Sequence, residues 1–140
     1  MKETLERLRY LLEAAGRTAL INEPASAEEI AEWEKAHSAL IPQEIKEFLQ
    51  FSNGFEYGWG AVVVFPLNKI RPVKNWDSVP DNWLELGSII GDGAYMVSDE
   101  NGELYLADHN HRDDPLAKFS LKEWLEESIF ISIEEEYGVE

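Results

Sequence analysis

The sequence predicts an α+β fold: a mainly antiparallel sheet of about four to six strands, with three helices before it and one after, packed around it. Three observations carry this. The first third of the chain repeats apolar residues at helical spacing. At Asn53-Gly54 the period drops from about 3.6 residues to 2. Short alternating runs with hairpin chemistry then follow, and a capped amphipathic segment closes the chain. A chain of 140 residues closes one core, so residues 1–140 are read as a single domain.

Each element has its own warrant. Leu5, Leu8, Leu12 and Ala15 form one stripe, and Gly16 stops the first helix. Residues 17–25 read as a connection. Ser26 and Glu29 have the spacing of a capping box, opening a helix that places Ile30 and Trp33 on one face. Pro42 suits the first turn of a third helix, whose Ile45, Phe48 and Leu49 follow the i, i+3, i+4 rule. Asn53-Gly54 ends it, because glycine adopts the left-handed conformation without steric cost.

Phe55, Tyr57 and Trp59 then alternate, which predicts an extended segment with its aromatics mostly in the core. "AVVVFPL" is a strand with Pro66 near its end. Residues 68–83, holding Pro72, Trp76, Pro80 and Trp83, read as a long irregular loop. "WLELGSII" is a strand. "AYMVSDENGELYLAD" is a hairpin turning through Asn101-Gly102. "DHNHRDDPLAKF" is a polar loop. In "SLKEWLEESIF" a second capping box, Ser120 with Glu123, starts a helix that turns Leu121, Trp124, Leu125 and Ile129 inward.

Charge separates the function classes. Twenty-eight acids against twelve Lys and Arg leave −16. Between Lys74 and Arg112 no Lys or Arg intervenes, yet Asp77, Asp81, Glu85, Asp92, Asp99, Glu100, Glu103 and Asp108 do. Such a field repels phosphate backbones, so no direct nucleic-acid binding is expected. It attracts a basic protein and speeds the encounter. No apolar run approaches the roughly 20 residues of a membrane span, and the N-terminal segment lacks the apolar stretch of a secretory signal. Cytoplasmic residence and no membrane partner are expected. There is no cysteine, which excludes disulfides and thiolate chemistry.

Candidate chemistry is thin. His109 and His111 with Asp108, Asp113 or Asp114 could ligate a divalent metal, but the spacing matches no strong zinc pattern. No G-x-S-x-G elbow is present, and nothing marks out a glycosidase-like carboxylate pair. "GDGAY" lacks the third glycine and the lysine of a phosphate loop, and Asp92 would repel phosphate. No cofactor, metal or catalytic residue is expected. A metal-dependent hydrolase built on residues 108–114 is the alternative from another class.

The ordered motifs add to this. "PASAEEIAEWE" before "IPQEIKEFLQFSNGF" resembles the opening of the SUKH superfamily, the Smi/Knr-type domains, through Ile30, Glu34, Ile41-Pro42, Phe48-Leu49 and Asn53-Gly54. "FPLNKI", "LGSIIGDGAYMVSD", "GELYLADHN" and "LAKFSLKEWLEE" resemble its later strands and closing helix. The resemblance runs from about Pro24 to Glu127 and leaves the first helix and the acidic tail from Glu134 outside. It implies a binding module, not an enzyme, and makes Asp108-His109 the end of a strand. Bacterial members are similar to immunity proteins that neutralise polymorphic or contact-dependent toxins, frequently nucleases. A eukaryotic branch acts in cell-wall regulation and scaffolding, which supplies the second alternative, an adaptor with no toxin.

The expected function is therefore immunity: binding a cognate protein toxin with a basic surface, a nuclease being the class that the charge favours. The expected contact residues are Glu56, Tyr57 and Trp59 beyond the Asn-Gly turn, Trp76 and Asp77 in the long loop, Asp92, Asp99 and Glu100 at the hairpin tip, and Asp113 and Asp114. Aromatics would anchor and acids would steer.

Overall fold

A computed structural model describes residues 2–73, 83–89, 94–108 and 117–138. Helix α1 (Lys2–Ala15) buries Leu5, Leu8, Leu11, Leu12 and Ala15 as one stripe, and Gly16 at φ +63° turns the chain out of it. Helix α2 (Ala27–His37) starts with the expected capping box. The Ser26 hydroxyl accepts from the Glu29 N–H, and the Glu29 carboxylate accepts from the Ser26 N–H, each at 3.0 Å. Pro42 takes the N-cap position of α3 (Gln43–Phe51), one residue outside the turn where the sequence places it.

Among the described residues eight short strands follow or interleave: β1 (Leu20–Ile21), β2 (Phe55–Tyr57), β3 (Val62–Val64), β4 (Arg71–Pro72), β5 (Leu84–Ile89), β6 (Ala94–Ser98), β7 (Leu104–Asp108) and β8 (Ala117–Phe119). They form one antiparallel sheet in the order β1-β2-β3-β5-β6-β7-β8, with β4 also on β5. The α+β class is as expected, with more strands than the four to six foreseen. The extra ones have two or three residues, too few for alternation to register. β1 lies within the expected connection and β8 within the expected polar loop. β3 and β4 share one side of β5, so residues 62–72 act as one strand interrupted by the short helical turn Leu67–Lys69.

The closing helix is longer than "SLKEWLEESIF". α4 (Leu121–Trp124) passes through a π turn at Leu125–Ile129 into α5 (Phe130–Tyr137), and Gly138 at φ +64° ends it. Ile129, Phe130 and Ile133 are buried, so the residues read as an acidic tail begin as the end of a packed helix. Among the described residues no helix is long and apolar enough to cross a membrane.

All the helices share one buried cluster with Phe55, Tyr57, Val64, Met96 and Leu104 of the sheet. Alternation sends Val97 to the opposite face. There it joins Val73, Trp83 and Tyr105 in a separate small cluster, with Trp83 stacked on Tyr105 at 4.7 Å. The helices therefore cover one face of the sheet, and one end of the other face has its own apolar cap.

Candidate protein-binding edge

The helix-to-sheet corner is a clasp. The Asn53 N–H donates to the Glu23 carbonyl at 2.9 Å, and its side-chain Oδ1 accepts from the Leu67 N–H at 2.6 Å. The Ser52 hydroxyl donates to the Gly54 carbonyl at 2.7 Å. Gly54 sits at φ +91°, and a Cβ there would meet the Val64 carbonyl oxygen at 2.5 Å. A second clasp ties α2 to α3. Glu34 Oε2 accepts from the Ile41 N–H at 2.7 Å and pairs with Lys46 at 3.3 Å. The residues that carry the family pattern thus hold backbone to backbone.

Beyond the clasp, Phe55 and Tyr57 point inward and are buried. The Tyr57 hydroxyl donates to Glu136 Oε2 at 2.6 Å. Burial first, and then the Glu136 carboxylate, hold the phenol ionisation well above its ordinary value. Trp59 behaves differently. It is 76% exposed and adopts φ +58° between Gly58 at +69° and Gly60 at +86°. A bulky residue in left-handed backbone is an outlier that costs about 1–2 kcal/mol. Two bonds hold the turn, Trp59 N–H to the Thr18 carbonyl and Ala61 N–H to the Gly58 carbonyl, each 3.1 Å. Thr18 is itself tied to the end of α5, its hydroxyl 2.6 Å from that of Tyr137. Beside this turn runs edge strand β1, where the 56%-exposed Leu20 pairs with Glu56. Trp59, Leu20 and Glu56 therefore share one edge.

The other expected contact residues separate from it. Tyr57, Val62, Ile89 and Ala94 align at one end of the sheet; Leu84, Ser98 and Leu104 align at the other. The Trp59 turn continues the first end, and the hairpin tip with Asp99 and Glu100 continues the second. One compact partner surface does not gather both. Asp99 is buried and builds the tip: Oδ1 accepts from the N–H groups of Asn101 at 2.9 Å and Glu103 at 3.0 Å, and Oδ2 accepts from the Tyr105 hydroxyl at 3.1 Å. Glu100 is exposed. Trp76, Asp77, Asp92, His109, His111, Asp113 and Asp114 lie outside the described residues. Among the described residues no group of three His, Asp or Glu is placed to hold a metal ion.

Leu20 and the α5 anchor escaped the sequence reading. For α5 a signal existed: Ile129, Ile133 and Tyr137 recur every four residues, extending the apolar stripe beneath the glutamates. For Leu20 there was none, since two residues carry no period.

No curated protein matches the chain. The model of the SMI1/KNR4 family (SUKH-1) matches residues 24–136, reaching into α5 well past the Glu127 limit of the sequence-level resemblance. With that match spanning α2, α3, strands β2 to β8 and nearly all of the closing helix, the chain belongs to the SMI1/KNR4 family (SUKH-1).

Proposed function

We propose that this chain is an immunity protein that binds and neutralises a cognate bacterial toxin, and that it works by contact and carries out no bond chemistry. The observation that carries the reading is Trp59. Its indole faces water from left-handed backbone in the β2–β3 turn, and strain of this kind collects at functional sites. Exposed tryptophan is also the side chain most often found as a binding anchor. Leu20 extends the apolar contact, and Glu56 supplies charge beside it.

The acidic excess supports a basic partner such as a nuclease. Over the whole sequence the balance of acids and bases is −16. Trp76, Asp77, Asp92, Glu100, Asp113 and Asp114 stand in the proposal as a second set of contacts and steering charges. Tyr57 and Asp99 support the surface from beneath. Steering of this kind lifts association toward roughly 10⁸ M⁻¹ s⁻¹ at low salt, against about 10⁵–10⁶ for a neutral pair.

The test is co-expression with the toxin encoded beside this gene, reading survival and complex recovery. Protection that Trp59→Ala abolishes is the expected result. Survival no better than without the chain, with no complex recovered, overturns the proposal in favour of an adaptor role. Stoichiometric metal in the purified protein, lost on replacing His109 and His111 with Ala, would favour the hydrolase instead.

A further inference from the structure

The sheet ends at β1 on the side of Trp59. Among the described residues β1 pairs with β2 alone. The Thr18 carbonyl accepts from the Trp59 N–H, and the Asn22 N–H donates to the Gly54 carbonyl, each at 3.1 Å. Positions 18 and 22 therefore face β2. Antiparallel bonding alternates along a strand, so Leu20 also faces β2, opposite Glu56, and Ile21 turns its N–H and C=O to the outer edge. The Ala19 carbonyl lies on that edge too, while the Ala19 N–H donates to the Gly16 carbonyl at 3.2 Å.

Natural sheets guard such an edge with proline, lysine or an inward-pointing charge. The run Thr18-Ala19-Leu20-Ile21-Asn22 carries none of these, and its one defence is its shortness. The side chains divide around it. Ile21 lies opposite the buried Phe55 and packs on the core. Leu20 stands on the other face and is exposed, and the Trp59 indole extends that apolar surface past the start of the strand. One donor and two acceptors beside exposed apolar side chains are what an added strand uses: main-chain bonds for affinity, side-chain contacts for specificity. Charge selects the occupant. A second copy would bring another −16 to the same edge, whereas a positively charged segment is attracted to it. Arg17 is exposed before the strand and Glu23 after it, so a basic residue belongs toward Glu23.

We propose that the partner toxin binds by adding one extended segment antiparallel to β1, apolar at the residue that faces Leu20 and basic toward Glu23. The inference rests on the immunity reading and says how that contact is made. Ile21 would exchange two main-chain bonds with the segment, and the Ala19 carbonyl would accept a third.

Amide hydrogen exchange, followed by NMR on the labelled full chain, reads the edge directly. In the free chain the Ile21 amide should exchange at least about tenfold faster than those of Leu20 and Asn22. The probe is the toxin encoded beside this gene, inactivated by substitution. On adding it, the Ile21 amide should slow at least about a hundredfold, and one toxin segment should slow at alternate amides. The Ile21 side chain faces the helices, so contact with Leu20 alone would not protect that amide. An ester in place of the Leu20–Ile21 amide, introduced by semisynthesis, removes the N–H and keeps both side chains. It should weaken toxin binding about tenfold, the share of one hydrogen bond. An Ile21 amide already protected in the free chain overturns the proposal. So does protection that grows with concentration of the chain alone, which would make a second copy the occupant. A complex whose Ile21 amide exchanges as in the free chain removes strand addition and leaves immunity standing; no complex at all removes both.

Discussion

Two glycine-marked turns lie a few residues apart and do opposite things. At Asn53-Gly54 the backbone of three segments converges, and no room exists for a single added carbon. At Gly58-Trp59-Gly60 the chain adopts equally unusual angles in the open, with nothing within 4 Å of a Cβ placed on Gly60. The first turn uses left-handed backbone to let strands and helices meet. The second uses it to hold an indole in water. In this pair of turns the same kind of backbone serves scaffold where the surroundings are full and a candidate contact where a large aromatic stands in the open.

The comparison can be broken by substitution. Gly54→Ala should cost the most, above about 3 kcal/mol, because backbone strain adds to a clash with the rigid Val64 carbonyl. Chemical denaturation measures it, and a wild-type midpoint would refute the clasp. Trp59→Ala should leave stability within about 0.5 kcal/mol, since an exposed ring is lost and the strain stays. Its effect belongs to binding: an anchor of this kind is worth at least about 2 kcal/mol, roughly thirtyfold in toxin affinity. Gly60→Ala should cost about 1–2 kcal/mol from conformation alone, clearly less than Gly54→Ala. Equal losses would erase the distinction between crowded and open turns.

Tyr57→Phe should cost about 1 kcal/mol of stability for the lost bond to Glu136. It also carries a pH signature. The phenol ionises at higher pH in the folded chain than in the unfolded one, so the folded state keeps its proton longer. The stability this supplies is complete below pH about 10 and declines as pH rises through the folded-state ionisation. In urea titrations between pH 8 and 11, the gap between wild type and Tyr57→Phe should therefore narrow as the solution becomes more alkaline. A gap that widens would place the hydrogen bond elsewhere.

Much of the fold was legible because its signals are local. The capping boxes at Ser26 and Ser120 form bond for bond as their spacing implies. The Asn101-Gly102 hairpin and the stop at Gly54 follow from turn chemistry. The strands β1, β4 and β8 were not legible, because two or three residues pair only when a neighbour's edge is already in place. The candidate site was half legible. Alternation grouped Phe55, Tyr57 and Trp59, but Trp59 leaves the strand at Gly58 and so escapes the core that took the other two.

By itself the sequence determined the α+β class, the helix starts, the glycine stops and the acidic balance, since each rests on residues within about a turn of one another or on a simple sum. Only the tertiary structure decided that Trp59 and the hairpin tip stand at opposite ends of the sheet. It also decided that Asp99 braces a turn and that Glu136 reaches back to Tyr57. Those facts depend on strand register and on contacts between residues up to 79 positions apart. Short-range periodicity holds no record of them, because register is set by the packing of the whole sheet against its helices.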